Sequence, residues 1–281
     1  MKNKIGKKKL MYYIILVIII IISGRFFIRW FENYNLYYPT SKIEYTPDDI
    51  NLKYSDFEIQ LKSGPTITGW IIPSESSKGF LIFCHGNGGN ISHRIETIGF
   101  FNKLDITVAI FDYPGYGKSS GKPNESNLFE SAGAVYKMLQ DKYGMKSEEC
   151  IIYGRSLGGA VAVDLASHVS TAGLIVESGF SSTIQMGKEI FPFLPAKLII
   201  SQPFDSISKI PKITAPKLIM HSRKDEIIPY HHGEDLYRAA SEPKIFLEIS
   251  GTHNDGYEYR GKEYAKSLKE FIDSTLPTNP Q

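Results

Sequence analysis

The five residues Gly154-Arg155-Ser156-Leu157-Gly158 constrain this chain more than any others. They read G-x-S-x-G, preceded by the short apolar run Cys150-Ile151-Ile152-Tyr153 and followed by Gly159 and small helix-forming residues at Ala160, Ala162 and Ala166. Strand, sharp turn and helix form the context in which such a serine is presented as a nucleophile. A turn this tight holds its central residue in a strained backbone conformation, and the flanking positions have no room for β-carbons. A glycine-rich turn can also be purely structural, so the meaning of Ser156 depends on what the other strand ends carry.

Those strand ends recur along the chain. After a hairpin signal (Tyr54–Leu61, Lys62-Ser63-Gly64-Pro65, Thr66–Ile72), the apolar run Phe80–Cys84 ends in His85-Gly86-Asn87-Gly88-Gly89-Asn90. Ile106–Phe111 ends in Asp112-Tyr113-Pro114-Gly115-Tyr116-Gly117, and Leu174–Val176 ends in Glu177-Ser178-Gly179. Lys217–Met220 leads to His221–Asp225, and Ile245–Ile249 leads to Ser250-Gly251-Thr252-His253. Helical stretches, about 92–104 and 125–143 among them, separate the runs. Continuous apolar strands alternating with helices predict a doubly wound, mostly parallel α/β sheet of about eight strands, its loops gathered at the strands' C-terminal ends. The stretch 181–209, with Phe191-Pro192-Phe193-Leu194-Pro195, is too long for one connection and reads as a small lid.

The formal charge of +2 is unevenly distributed. Residues 1–30 carry seven of the 32 Lys and Arg and no acid, leaving 25 basic against 30 acidic groups, a net of −5, in the remainder. A mildly acidic globular part without a basic stripe gives no reason to expect nucleic-acid binding. Cys84 stands at a strand's end and Cys150 at a strand's start, so in parallel strands the thiols would lie near opposite edges of the sheet, about 13 Å apart or more, beyond disulfide reach, and read as buried filler. Residues 10–24 are uncharged and mostly branched aliphatic, and Phe26, Phe27 and Ile28 extend the run if Arg25 snorkels. Five lysines precede it and no A-x-A pattern follows, which favours an uncleaved signal anchor with a cytoplasmic N-terminus over a cleaved signal peptide. Trp30, Phe31, Tyr34, Tyr37 and Tyr38 then form an interfacial aromatic belt, or else pack on the domain.

A serine nucleophile needs a base, an acid to orient that base, and donors for the oxyanion. Of the histidines, His253 follows a late strand end. Asp225 stands 69 residues after Ser156 and 28 before His253, giving the chain order Ser, Asp, His. Glu177, past the preceding strand, is the rival acid. The backbone N–H groups of Leu157 and Asn87 are the expected oxyanion donors. No phosphate-binding signature follows a strand and no His/Cys/Asp/Glu cluster has metal-ligand spacing, so neither cofactor nor metal is expected.

Together, His85–Asn90, Asp112–Gly117, Gly154–Gly159 and Gly251–Asp255 resemble the α/β-hydrolase superfamily, and are more closely similar to its membrane-anchored α/β-hydrolase-domain branch near serine-aminopeptidase-like hydrolases. The resemblance spans about residues 50–275, with Ser222 and Thr252 standing where glycines are usual. Outside that span, the charge and apolar pattern read as a basic cytoplasmic segment at 1–9, a membrane helix at 10–28 and a juxtamembrane segment at 29–49. An α/β-hydrolase domain at 50–276 and a tail at 277–281 complete the order. The resemblance implies a serine hydrolase of esters or thioesters, with a small-molecule or lipidated acyl substrate, while the richness in isoleucine, lysine and asparagine points to an AT-rich genome and so to a bacterial inner membrane rather than the endoplasmic reticulum. A peptidase or amidase, and a catalytically silent membrane-tethered module, are the alternatives. Nothing in the sequence fixes the oligomeric state.

Overall fold

The computed structural model describes residues 2–255 and 261–277. Met1, residues 278–281 of the expected tail, and the side chains of residues 2–7 in the basic N-terminal segment lie outside the described residues.

Helix α1 (Lys2–Leu36) is 35 residues, about 52 Å at 1.5 Å per residue. Within Lys8–Leu36 an 18-residue stretch has a mean hydropathy of 2.4 and is wholly unburied, long and apolar enough to cross a membrane. Besides a two-residue pair, Tyr38–Pro39 with Gly88–Gly89, the described residues hold eight longer strands: β1 (Ser55–Gln60), β2 (Thr66–Ile72), β3 (Phe80–Cys84), β4 (Thr107–Phe111), β5 (Cys150–Arg155), β6 (Gly173–Glu177), β7 (Lys217–Ser222) and β8 (Lys244–Ile249). They form one sheet in the order β8-β7-β6-β5-β3-β4-β2-β1, parallel from β8 through β4, with β2 and β1 added antiparallel at one edge.

The near-continuous apolar character of the central strands follows from burial on both faces. Alternate residues separate cleanly. Ile82, Ala109 and Ile152 join a core with helices α3 (Glu125–Tyr143) and α4 (Leu157–Ala166). Leu81, Val108 and Ile151 join a second core with α2 (Ile95–Asn102) and α9 (Lys262–Thr275) on the other side. Cys84 sits opposite Gly154 and Cys150 opposite Phe80 in the β3–β5 pair, so the thiols lie at opposite ends of that pair, free and buried.

The expected helix at 92–104 begins as a 3-10 turn, Ile91–Arg94, because the Asn90 side chain accepts the Ser92 N–H at 2.9 Å and caps the chain there. The stretch 181–209 folds into α5 (Thr183–Ile190), α6 (Ala196–Ile199) and α7 (Ser206–Lys209), and α8 (His231–Ala239) lies beside β7 and β8. Of the expected aromatic belt, Trp30, Phe31, Tyr34 and Tyr38 are exposed, but Tyr37 is buried and its hydroxyl donates to Gln202 Oε1 at 2.6 Å. Tyr37 packs on the domain because the end of α1 is bonded to Gln202 of the stretch 181–209, through both Tyr37 and Asn33.

Candidate active site

β5 ends in a turn that only small neighbours permit. A Cβ on Gly158 would lie 2.0 Å from the Cys84 carbonyl oxygen, and one on Gly154 would lie 2.2 Å from the Gly158 carbonyl oxygen. Between them Ser156 takes φ 56° and ψ −123°, a conformation costly for any residue with a side chain. Its N–H donates to the Glu177 carbonyl at 2.9 Å, and its own carbonyl accepts from Gly159 N at 2.8 Å, so both strand and helix hold the strain in place.

His253 Nε2 stands 3.0 Å from Ser156 Oγ, and its Nδ1 stands 2.8 Å from Asp225 Oδ2. Burial pushes the Asp225 pKa up. The bonds from His221, His253 and the Ile228 N–H outweigh it and hold the carboxyl well below the usual range. Asp225 is therefore an acceptor only. The His253 proton sits on Nδ1, leaving the Nε2 lone pair for the serine O–H. The N–H groups of Ile227 and Ile228 donate to Asp225 Oδ1 at 3.0 and 2.8 Å and fix the carboxylate plane.

Glu177 does not take this place. Its Oε2 accepts from the hydroxyls of Tyr153 and Tyr264, each at 2.8 Å, and its Oε1 lies 3.5 Å from Arg155 Nε. Arg155 in turn donates to the carbonyls of His253, at 2.5 Å, and Asp255, at 3.0 Å. Glu226 Oε2 accepts the His253 N–H at 3.0 Å. Arg155 and Glu226 thus shape the histidine loop. Sequence reasoning missed both, since neither an x in G-x-S-x-G nor the residue after an acid carries a signal of its own. The two departures from the family pattern also bond here. Ser222 donates to the Gly251 carbonyl at 2.5 Å, and Thr252 N donates to Asp255 Oδ2 at 2.6 Å.

The loop after β3 closes the site from the other side. A Cβ on Gly86 would meet Ser156 Cβ at 3.5 Å, and Asn87 lines the same cavity as Ser156 and Leu157. The Asn87 carbonyl accepts from Tyr38 N at 3.0 Å and from the Tyr116 hydroxyl at 2.8 Å. Tyr38 and Pro39 pair in parallel with Gly88 and Gly89, so the segment after α1 is built into the loop after β3. Beneath it His85 is fully buried between Tyr113 and Tyr116. Burial pushes the His85 pKa down to about 3 and that of Asp112, whose Oδ1 lies 3.6 Å from His85 Nε2, up to about 7. Both side chains are consequently uncharged between those values, the state a dry interior favours.

Ser156 opens into a cavity of about 610 Å³. Its walls come from the lid (Met186, Ile190, Phe191, Leu194), from Phe180 and Ile227, and from α1 itself through Phe27, Ile28 and Phe31. Elsewhere, folding brings Glu189 of α5 beside His231 and His232 of α8, a grouping with metal-ligand atom types that spacing did not reveal. The Ser181 N–H donates to His232 Nδ1 at 3.3 Å, which keeps the proton of the neutral ring on Nε2, facing Glu189 at 3.3 Å. The trio therefore serves as a carboxylate–imidazole clip between lid and domain.

A family model described as serine aminopeptidase, S33, matches residues 75–199. An uncharacterized protein of Mycobacterium tuberculosis is 32% identical over 223 residues, 78% of this chain and 79% of that one. The human alpha/beta hydrolase domain-containing protein 17B is 35% identical over 204 residues, 72% of this chain and 69% of that protein. This chain belongs to the α/β-hydrolase superfamily. The membership makes this α/β-hydrolase a hydrolase, and the strand order and elbow described above are the fold's own. The Pyrococcus furiosus esterase Pf2001 superposes with a TM-score of 0.72 at 22% identity, covering 85% of this chain and 100% of that one. The Pyrococcus horikoshii acylaminoacyl peptidase does so at 0.62 and 16%, covering 82% and 42%. An esterase and a peptidase fit one backbone, so these likenesses speak to fold alone.

Proposed function

We propose that this α/β-hydrolase is a membrane-anchored serine hydrolase that cleaves a carboxylic ester or acyl thioester of an apolar acyl group through an acyl-enzyme on Ser156. The observation that carries the reading is the cavity that runs from Ser156 between an apolar lid and an apolar helix. Walls of this kind accept hydrocarbon and offer the few polar groups near Ser156 for orientation.

In the first half-reaction Ser156 Oγ attacks the acyl carbon while His253 Nε2 takes the hydroxyl proton. The developing imidazolium is stabilised by ionised Asp225. The N–H groups of Leu157, at the start of α4, and of Asn87 receive the oxyanion. His253 returns the proton to the leaving alcohol or thiol as the C–O or C–S bond breaks. Water then attacks the acyl-serine with His253 as base, releasing the acid and restoring Ser156. Helix α1 holds the chain in a bilayer with the lysine-rich N-terminus in the cytoplasm and the domain on the far side, in a bacterial inner membrane.

A peptidase of the serine-aminopeptidase type would need a free carboxylate for the substrate amine. Glu32 is the acid on the cavity wall, and it already accepts from Ser201 N at 2.6 Å and from Ser201 Oγ. The test is fluorophosphonate labelling and hydrolysis of p-nitrophenyl acyl esters beside aminoacyl anilides, with wild type and Ser156→Ala. The expected result is labelling and ester turnover by wild type alone. Equal turnover by Ser156→Ala sinks the mechanism, preference for anilides favours the peptidase, and a folded wild type that neither labels nor turns over is a silent module.

A further inference from the structure

The lid carries apolar side chains that the protein leaves uncovered. Ile190, Leu194 and Leu198 are more than half exposed, and Phe193 is 97% exposed. A water-soluble face rarely gathers such residues without a partner. Across the cavity mouth stand Phe27 and Phe31 of α1, which are also exposed and line the same cavity as Ile190, Phe191 and Leu194. The rim is thus half lid and half membrane-helix end.

The join between the two halves rests on two buried polar side chains, Glu32 and Gln202, bonded to exposed Ser201 and Asn33. The Glu32 carboxylate, 8% exposed, takes the Ser201 bonds, and Gln202 Nε2 donates to Asn33 Oδ1 at 2.8 Å. Ile28 closes the apolar span and Glu32 lies one helical turn beyond it, about 6 Å along the axis. The cavity mouth therefore sits within about one turn of the level at which α1 leaves hydrocarbon. Lys188 and Lys197, both exposed, flank the lid's apolar residues, and Arg25 and Arg29 stand at the same end of α1. Cations ringing an apolar tip suit headgroup depth, where their stems lie along hydrocarbon and their charges reach lipid phosphates.

We propose that the lid rim and the last turns of α1 form one bilayer-docking surface through which the cavity receives a long-chain acyl group directly from the membrane leaflet. The occupant of the surface is lipid, because the patch is continuous with the helix that spans it. The substrate class that follows is an acyl chain already resident in the leaflet, whose carbonyl rises to Ser156 while its tail stays in apolar surroundings throughout. This rests on the reading of Ser156 as an acyl-enzyme nucleophile on an anchored chain.

The test uses the full chain in phosphatidylcholine vesicles. Phe193 and Leu198 lie outside the cavity wall, so Phe193→Glu/Leu198→Glu changes the rim and spares the site. The double variant should lose about tenfold or more in kcat/KM toward p-nitrophenyl palmitate dispersed in the vesicles, while p-nitrophenyl acetate in solution is hydrolysed as by wild type. Equal losses on both substrates, or full activity on the vesicle substrate, overturn the docking surface. As a second measure, Phe193→Cys offers one reactive thiol, since Cys84 and Cys150 are buried. A polarity-sensitive fluorophore there should shift to the blue on reconstitution, independently of the protein-to-lipid ratio. No shift, or one that grows with protein density and so reports self-association, overturns it too. If instead Ser156→Ala matches wild type on both esters, the mechanism has failed and not the surface.

Discussion

Glu32 in helix α1 and Ser201 in the lid are 169 residues apart in sequence and joined by a buried carboxylate that accepts both the backbone N–H, at 2.6 Å, and the hydroxyl of the serine. Ser201 itself is exposed, so Glu32→Ala replaces the carboxylate acceptor of its N–H by water, at a cost of about 0.5–1.5 kcal/mol. We expect faster amide hydrogen exchange across residues 183–203 in the variant, and a smaller increase for Glu32→Gln, whose amide oxygen still accepts. Exchange equal to wild type in the alanine variant would refute the join.

Arg155 meets the candidate base His253 at its backbone carbonyl. Arg155→Lys retains the charge near Glu177 but loses the fork that holds the carbonyls of His253 and Asp255. The expected outcome is a fall in kcat of roughly tenfold to a hundredfold, the scale of a small misplacement of a reacting group, with KM little changed. A stability loss with kcat intact would assign Arg155 a purely structural role.

Asp225 is ionised at every working pH, since its folded pKa is depressed by its donors. Asp225→Asn should therefore reverse the His253 tautomer and lower kcat by about 10⁴ while leaving the fold intact. Glu177→Gln tests the contrast. It weakens the hold on Arg155 and should cost far less than Asp225→Asn, and the reverse ranking would return Glu177 to the role of orienting acid.

His85 and Asp112 push the pH dependence of stability in opposite directions. His85, depressed when folded, contributes stability that is present above its unfolded pKa of about 6.5 and lost as pH falls toward about 3. Asp112, raised when folded, contributes stability that is full below about 4 and lost as pH rises to about 7. In wild type the two partly cancel. Asp112→Asn removes only the second, so its unfolding midpoint should fall more between pH 8 and pH 5 than that of wild type. An unchanged or smaller fall in a denaturant titration would show that Asp112 is charged when folded.

Much of this was legible in the chain because short-range pattern carries it. The apolar runs at Phe80–Cys84 and Cys150–Tyr153 had to be doubly covered strands, and the glycines around Ser156 permit a turn that few other residues survive. Asp225 and His253 could be placed in order at strand ends. The choice between Asp225 and Glu177 could not be made by spacing, because both follow strands and only packing decides which carboxylate meets the imidazole. Tyr37 was legible as aromatic but not as buried, since its partner Gln202 is 165 residues away.

The sequence by itself determined the strands, the elbow and the apolar N-terminal helix, because each depends on side-chain periodicity or on sterics within a few residues. Tertiary structure alone decided that Glu177 braces Arg155, that residues 38–39 pair with the loop after β3, and that helix α1 forms a wall of the cavity. These relationships are long-range contacts between polar or apolar groups that look ordinary in isolation. Their meaning comes from the distances that folding sets between them.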